Sequence, residues 1–131
     1  MIYIRLDPLG TKLYYLNTKL HREDGPAIEC ADGSKKWCLN GKLHREDGPA
    51  IEWASGSKEW YINDLLHRTD GPAIHSSSGM KLWYINNILH REDGPAIIFS
   101  NGNEEFWYHG NKIICSDLKE YLRIIKLKVF L

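Results

Sequence analysis

The 131-residue chain lacks net charge, with 17 lysines and arginines against 17 aspartates and glutamates. Partners such as nucleic acid and anionic membrane draw on a basic excess, so neither is expected. Cysteine is sparse: Cys30, Cys38 and Cys115 are odd in number and lack the C-x-x-C spacing of a zinc or redox site. A reducing compartment is the simplest setting for them. The chain opens without a charged, apolar, small-residue signal peptide and holds no run of about 18 apolar residues. A soluble, cytoplasmic protein is expected. P-loop, G-x-S-x-G, H-E-x-x-H and dinucleotide fingerprints are all missing, which leaves no cofactor to expect. Phenylalanine and methionine are few, at three and two, whereas tryptophan and tyrosine number five and seven. That balance suits strands and contact surfaces.

Against these absences stands a strict repeat. LHREDGPAI begins at Leu20, recurs at Leu43, appears as LHRTDGPAI from Leu66 and returns from Leu89, so His21, His44, His67 and His90 fall 23 residues apart. A second shared segment of the type G-S-K-x-W-Y-I-N-G lies between these blocks. The full units are residues 20–42, 43–65, 66–88 and 89–111, preceded by a partial unit over 1–19. Together they make a repeat domain over 1–112. The period ends at Ile113. In residues 113–131 the apolar residues Leu118, Tyr121, Leu122, Ile125 and Val129 fall at helical spacing. Asp117 and Glu120 are placed to form a capping box. This segment is expected to be a helix that caps the stack, and its basic and apolar residues make a membrane-surface role the weaker reading.

Each unit reads as an antiparallel hairpin. A short apolar run such as Pro49–Ala54 meets a turn glycine, at positions 10, 33, 56, 79 and 102, and a β-branched, aromatic run follows. A second turn follows Asn40, Asn63, Asn86 and His109, where Gly41, Asp64, Asn87 and Gly110 tolerate left-handed backbone; Thr18 breaks that pattern. The expected fold is mainly β, an elongated single antiparallel sheet with a C-terminal helix. Alternation puts Tyr14, Trp37, Trp60, Trp83 and Phe106 on one face, expected as core together with Leu16, Leu39, Ile62, Ile85 and the column Ile28, Ile51, Ile74, Ile97. The other face, with Tyr15, Cys38, Tyr61, Tyr84 and Trp107, is expected beside Glu29, Glu52 and His75. Tyr15, Tyr61, Tyr84, Trp107, Glu52 and His75 are therefore the candidate binding residues. Ile2, Ile4 and Leu6 alternate before Pro8 as an edge strand able to pair with a second copy.

The HRED segments put a histidine, an arginine and carboxylates together, the ingredients of a general-base pair. Repetition argues against catalysis, because an active site needs one asymmetric constellation. The expected role of Arg22, Arg45, Arg68 and Arg91 with Asp24, Asp47, Asp70 and Asp93 is a structural ladder, with His21, His44, His67 and His90 in equivalent turns. Equivalent histidines about 9 to 10 Å apart cannot share a zinc ion. An aromatic ladder can also stack nucleic-acid bases, but acidic residues lie among the lysines that such binding needs.

The 23-residue period, the run Asn40-Gly41-Lys42-Leu43-His44 and the aromatic hairpins together resemble the MORN repeat family, whose units are short β-hairpins stacked into one elongated sheet. Where the usual unit has H-G-x-G, this chain has H-R-E-D-G-P-A, a variant similar to repeats in proteins of tailed phages and giant viruses. The resemblance implies scaffolding, partner binding or membrane apposition, with no catalytic residues to carry over. It also implies a viral or phage chain in the host cytoplasm, whose partner is a host protein, a defence enzyme that it blocks. The function expected is a non-catalytic protein-binding module, not an enzyme. The alternatives are a small-molecule or nucleotide binder using an aromatic groove, and a structural scaffold.

Overall fold

Two turns per unit decide how the chain folds back, and both demand positive φ. In the computed structural model, which describes residues 1–129 and side chains as far as Leu127, the glycines at the first turn have φ between 89° and 95°. L side chains are strained at such angles. The second turn takes two left-handed residues in succession, Asn40–Gly41, Asn63–Asp64, Asn86–Asn87 and His109–Gly110. That is the type I′ geometry, whose twist matches a two-residue hairpin. In the first unit Asn17 is left-handed at φ 57° and Thr18 is not, in keeping with a β-branched side chain.

Strand β1 (Ile2–Leu6) pairs along its full length with β2 (Lys12–Leu16). The sheet then adds two short strands per unit, Ile28–Glu29 with Lys35–Lys36, Ile51–Glu52 with Lys58–Glu59, Ile74–His75 with Lys81–Leu82, and Ile97–Ile98 with Glu104–Tyr108. Order in space follows order in sequence, so the chain forms one long antiparallel sheet.

The second strand of a unit is not continuous as expected. Lys58–Glu59 belongs to the long sheet, whereas Tyr61–Ile62 pairs with Leu65–Leu66 in a separate two-stranded ladder, and the same split occurs at Trp37 and Trp83. Trp60 is bonded on both edges: its N–H donates to Ala73 O at 2.7 Å and its C=O accepts from His67 N at 3.1 Å. Beyond it the chain follows its own I′ hairpin. These short ladders are tied one to the next, with Asp64 N–H donating to Leu43 O at 2.9 Å and Asn87 N–H to Leu66 O at 2.8 Å.

Register corrects the expected grouping of columns. Ile51 lies opposite Lys36 and Glu59, and Glu52 opposite Lys35 and Lys58. Opposed residues project to the same side, and sides alternate along a strand. The column Ile28, Ile51, Ile74, Ile97 therefore shares its face with Glu59 and the Tyr and Cys column, not with the tryptophans. Trp37, Trp60 and Trp83 share theirs with Glu29, Glu52 and His75. Contacts agree: the Tyr61 hydroxyl donates to Glu59 Oε1 at 3.0 Å, and Arg45 lies over Trp37 while also bonding Glu52.

Burial along the repeats is thin. Ala27, Ala50, Ala73 and Ala96 are inaccessible on the tryptophan face, and Ile51, Ile97 and Cys38 are buried on the other. A thicker core closes the C-terminal end, where Phe106, Ile113, Tyr121 and Ile125 pack together with Ile124 and Cys115 beside them. Tyr121 and Ile125 come from α1 (Leu118–Val129). Its start is held by Glu120 N–H donating to Asp117 Oδ1 at 2.9 Å, while the Glu120 carboxylate accepts from Ser116 N–H at 2.8 Å and the Ser116 hydroxyl at 2.6 Å. The expected reciprocal bond to Asp117 is thus displaced by one residue. The buried stripe is also turned, because Leu118 and Leu122 are 39% and 41% exposed. Tyr121 sets that rotation by docking on Phe106, with ring centroids 4.7 Å apart. The side chain of Val129, the last residue of the expected stripe, lies outside the described residues, as does Phe130.

Candidate functional site

On the tryptophan face the HRED loops form a ladder built from four equivalent rungs. Arg22, Arg45, Arg68 and Arg91 place their guanidinium carbons 3.8 to 4.0 Å from the ring centroids of Tyr14, Trp37, Trp60 and Trp83. Each Nε donates to Asp24, Asp47, Asp70 or Asp93 at 2.8 to 2.9 Å. Each Nη1 donates to the carbonyl of Pro26, Pro49, Pro72 or Pro95 at 3.0 to 3.2 Å. In the first two rungs Nη1 also reaches Glu29 at 3.0 Å and Glu52 at 3.3 Å. A planar fork that stacks and bonds at once is what arginine offers and lysine does not. The arginine bond holds the Asp47 and Asp70 carboxyls below the usual range. The backbone N–H of each arginine reaches across its own unit to the following short hairpin, onto the carbonyls of Cys38, Tyr61, Tyr84 and Trp107.

The histidines are the second tie. His21, His44, His67 and His90 each accept at Nδ1 from the backbone N–H of Asn40, Asn63, Asn86 and His109, at 2.8 to 3.2 Å. An imidazole that accepts at Nδ1 carries its proton on Nε2. In three units that Nε2 faces a glutamate two residues on, Glu23 and Glu46 at 3.4 Å and Glu92 at 3.3 Å; Thr69 occupies the place in the third. None of these rings has a free basic nitrogen with which to take a proton from a substrate.

His90, Glu92 and His109 offer ligand atoms within 4.8 Å of one another, the one such grouping among the described residues. The donor set does not fit a metal. His109 N–H already donates to His90 Nδ1 at 2.8 Å, so a metal on Nε2 would drive the ring proton onto Nδ1, against that N–H. His109 stands in the asparagine column of the other turns, which is how it meets His90; the alignment of the repeats placed it there, but not the ring contact. Burial, and then His109, hold His90 below the usual histidine range.

The opposite face is differently built. Tyr15, Tyr61, Tyr84 and Trp107 lie on it, half-buried, with Cys38 buried at the equivalent place between Tyr15 and Tyr61. Burial, and then Glu59, push the Tyr61 hydroxyl up to about 12. Trp107 Nε1 donates to Glu105 at 3.0 Å. Trp53, which the sequence reading did not single out, joins this face: its indole N–H bonds Glu59, Lys36 lies 5.0 Å over its ring, and it stays 38% exposed. Its place two residues after Ile51 was the available signal. The six candidate binding residues are therefore divided. Glu52 and His75 project from the tryptophan face, Glu52 engaged by Arg45 and His75 exposed.

Open grooves lie between the first and second HRED loops and between the third and fourth. The larger, about 960 Å³, lies between the third and fourth loops and is lined by Asp70, Trp83, Asn86, Ile88, Arg91 and His109. The helix of the C-terminal end continues this side of the molecule: Tyr121 covers Phe106, the last aromatic of the tryptophan column, where Ile114 replaces the next arginine. Its hydroxyl also contacts the carbonyls of Trp107 and Arg91, at 3.0 and 2.5 Å. No helix among the described residues is long and apolar enough to cross a membrane. The chain matches no protein-family model, and no curated protein matches it.

Proposed function

We propose that the chain is a non-catalytic protein-binding module and that its contact surface is the face carrying Tyr15, Tyr61, Tyr84, Trp107 and Trp53. One contrast supports this most directly. On the tryptophan face Tyr14, Trp37, Trp60 and Trp83 each lie under a guanidinium whose donors are bound within its own unit, whereas no arginine stacks over the tyrosine column among the described residues. Large, stiff, amphipathic side chains on a rigid sheet are what protein interfaces use as anchors. The closed histidine ladder speaks against acid-base chemistry, because the Nδ1 atom that each ring would offer as a base already accepts a main-chain N–H. The resemblance to scaffolding repeats points the same way, and on that resemblance alone the partner is a host protein met by a viral or phage chain.

The test is capture of partners by the tagged protein from a lysate of the cells in which it acts, with identification and a stoichiometry. One saturable protein at fixed ratio is expected. A second reading, a small molecule in the 960 Å³ groove, is favoured if no protein is held and a nucleotide or other ligand raises the melting temperature.

A further inference from the structure

The outer edge of β1 faces no strand among the described residues, and its chemistry specifies what would pair there. Asn17 N–H donates to Met1 O at 2.8 Å and Asp7 N–H to Thr11 O at 3.0 Å. The odd-numbered residues of this segment thus turn their main-chain groups toward β2. Main-chain groups alternate in direction along a strand, so the N–H and C=O groups of Ile2, Ile4 and Leu6 point to the open edge. These residues are 77%, 59% and 65% exposed and sit together on one side of the strand, unlike the singly scattered apolar residues of an ordinary surface. Natural sheets usually blunt such an edge with charge, proline or a covering element; here Arg5 is the only charged residue of the strand.

We infer that β1 is a homodimerisation edge, pairing antiparallel with β1 of a second copy about a two-fold axis through Ile4. In that register Ile4 opposes the partner's Ile4, and Ile2 opposes the partner's Leu6, all as hydrogen-bonded pairs. Six main-chain bonds form, and six apolar side chains become contiguous on one face. Tyr3 opposes the partner's Arg5, so a guanidinium meets a ring already stacked on Tyr15, with centroids 5.0 Å apart. Sliding two residues one way brings the two Arg5 charges face to face. Sliding two the other way leaves both Leu6 residues unpaired. A one-residue slide sets outward-pointing groups against inward-pointing ones and forms no ladder. The dimer is isologous and joins two sheets end to end, leaving the tyrosine columns of both copies on one continuous face. It is independent of whether that face binds another protein.

A contact of one short strand per copy is small, so dissociation in the micromolar range, about 1 to 100 μM, is expected. Sedimentation velocity across that range should show the mass double. Ile4→Pro removes an N–H that points outward and should leave a folded monomer by circular dichroism. Tyr3→Pro, which removes an N–H bonded to β2, should instead lower the melting temperature. Register is read by oxidation: Ile4→Cys places two thiols about 5.5 Å apart at Cα and should crosslink. Leu6→Cys sets them about 14 Å apart and should behave like the parent chain with its three native cysteines. A monomer at every concentration, a dimer that Ile4→Pro leaves intact, or crosslinking through Leu6→Cys overturns the proposal.

Discussion

Arg68→Lys removes one rung of the ladder while keeping its charge, and the structure sets the size of the loss. The Arg68 side chain is 23% exposed, lies 3.9 Å over Trp60 and donates to Pro72 O at 3.1 Å. A partly desolvated cation–π contact contributes about 1 kcal/mol and a charged hydrogen bond to a carbonyl about 1.5 kcal/mol. Asp70 is 83% exposed, so its bond adds little in water. Lysine recovers some of the attraction, but one ammonium cannot stack as a plane and bond the carbonyl together. The net loss should be about 2 kcal/mol, seen as a lower urea midpoint at unchanged slope and a melting temperature down by roughly 6 to 10 °C. Arg45→Lys should cost more, because Arg45 also holds Glu52 at 3.3 Å, and the third unit has His75 in the place of that glutamate. A loss below about 0.5 kcal/mol, the range of ordinary surface changes, would refute the claim that these rungs hold the repeats together.

Gly56→Ala meets no atom within 4 Å, so only the backbone at φ +95° resists it; a loss of about 1 to 2 kcal/mol is expected in chemical denaturation. Tyr121→Phe keeps the ring on Phe106 and deletes the hydroxyl that contacts Arg91 O and Trp107 O, at a cost of about 1 to 2 kcal/mol in the same assay. Burial, then His109, depress the pKa of His90 in the folded chain, so the unfolded chain binds its proton first. The stability that the neutral ring contributes is complete above the ordinary value of 6.5 and is lost as pH falls through it toward the lower folded value. Urea midpoints measured from pH 7.5 to 5.5 should fall; a rise would contradict the Nδ1-acceptor assignment. Burial raises the Cys38 thiol to about 11, so at pH 8 Cys38 should react with maleimide more slowly than half-buried Cys30 and Cys115, read by mass mapping.

Much of this architecture is legible in the sequence because the repeat states each local rule several times. Five turn glycines and the Asn-Gly, Asn-Asp and Asn-Asn pairs mark backbone angles, and angles mark hairpins. The pairing of Arg with Asp within one loop is also readable, since the two are two residues apart. What alternation cannot reveal is the offset between neighbouring strands. That offset put Ile51 with Tyr61 and Glu59, and it moved Glu52 and His75 away from the tyrosines. The break at Trp60 is hidden for a related reason: a residue bonded to Ala73 on one edge and His67 on the other has the same sequence signature as mid-strand. On the helix, spacing identified a stripe, but its rotation depended on Tyr121 docking against Phe106, a contact between residues that no local pattern connects.

The central claim is that the tyrosine face binds a protein partner, and the most direct measurement compares partner capture by two double variants, one on each face. Tyr61→Thr with Tyr84→Thr alters that face, and Lys58→Thr with His75→Thr alters the other. Circular dichroism and melting should first show both variants folded. The account predicts that the tyrosine pair loses the saturable partner while the Lys58 and His75 pair retains it. Retention by the tyrosine pair, with loss through Lys58 and His75, would contradict it.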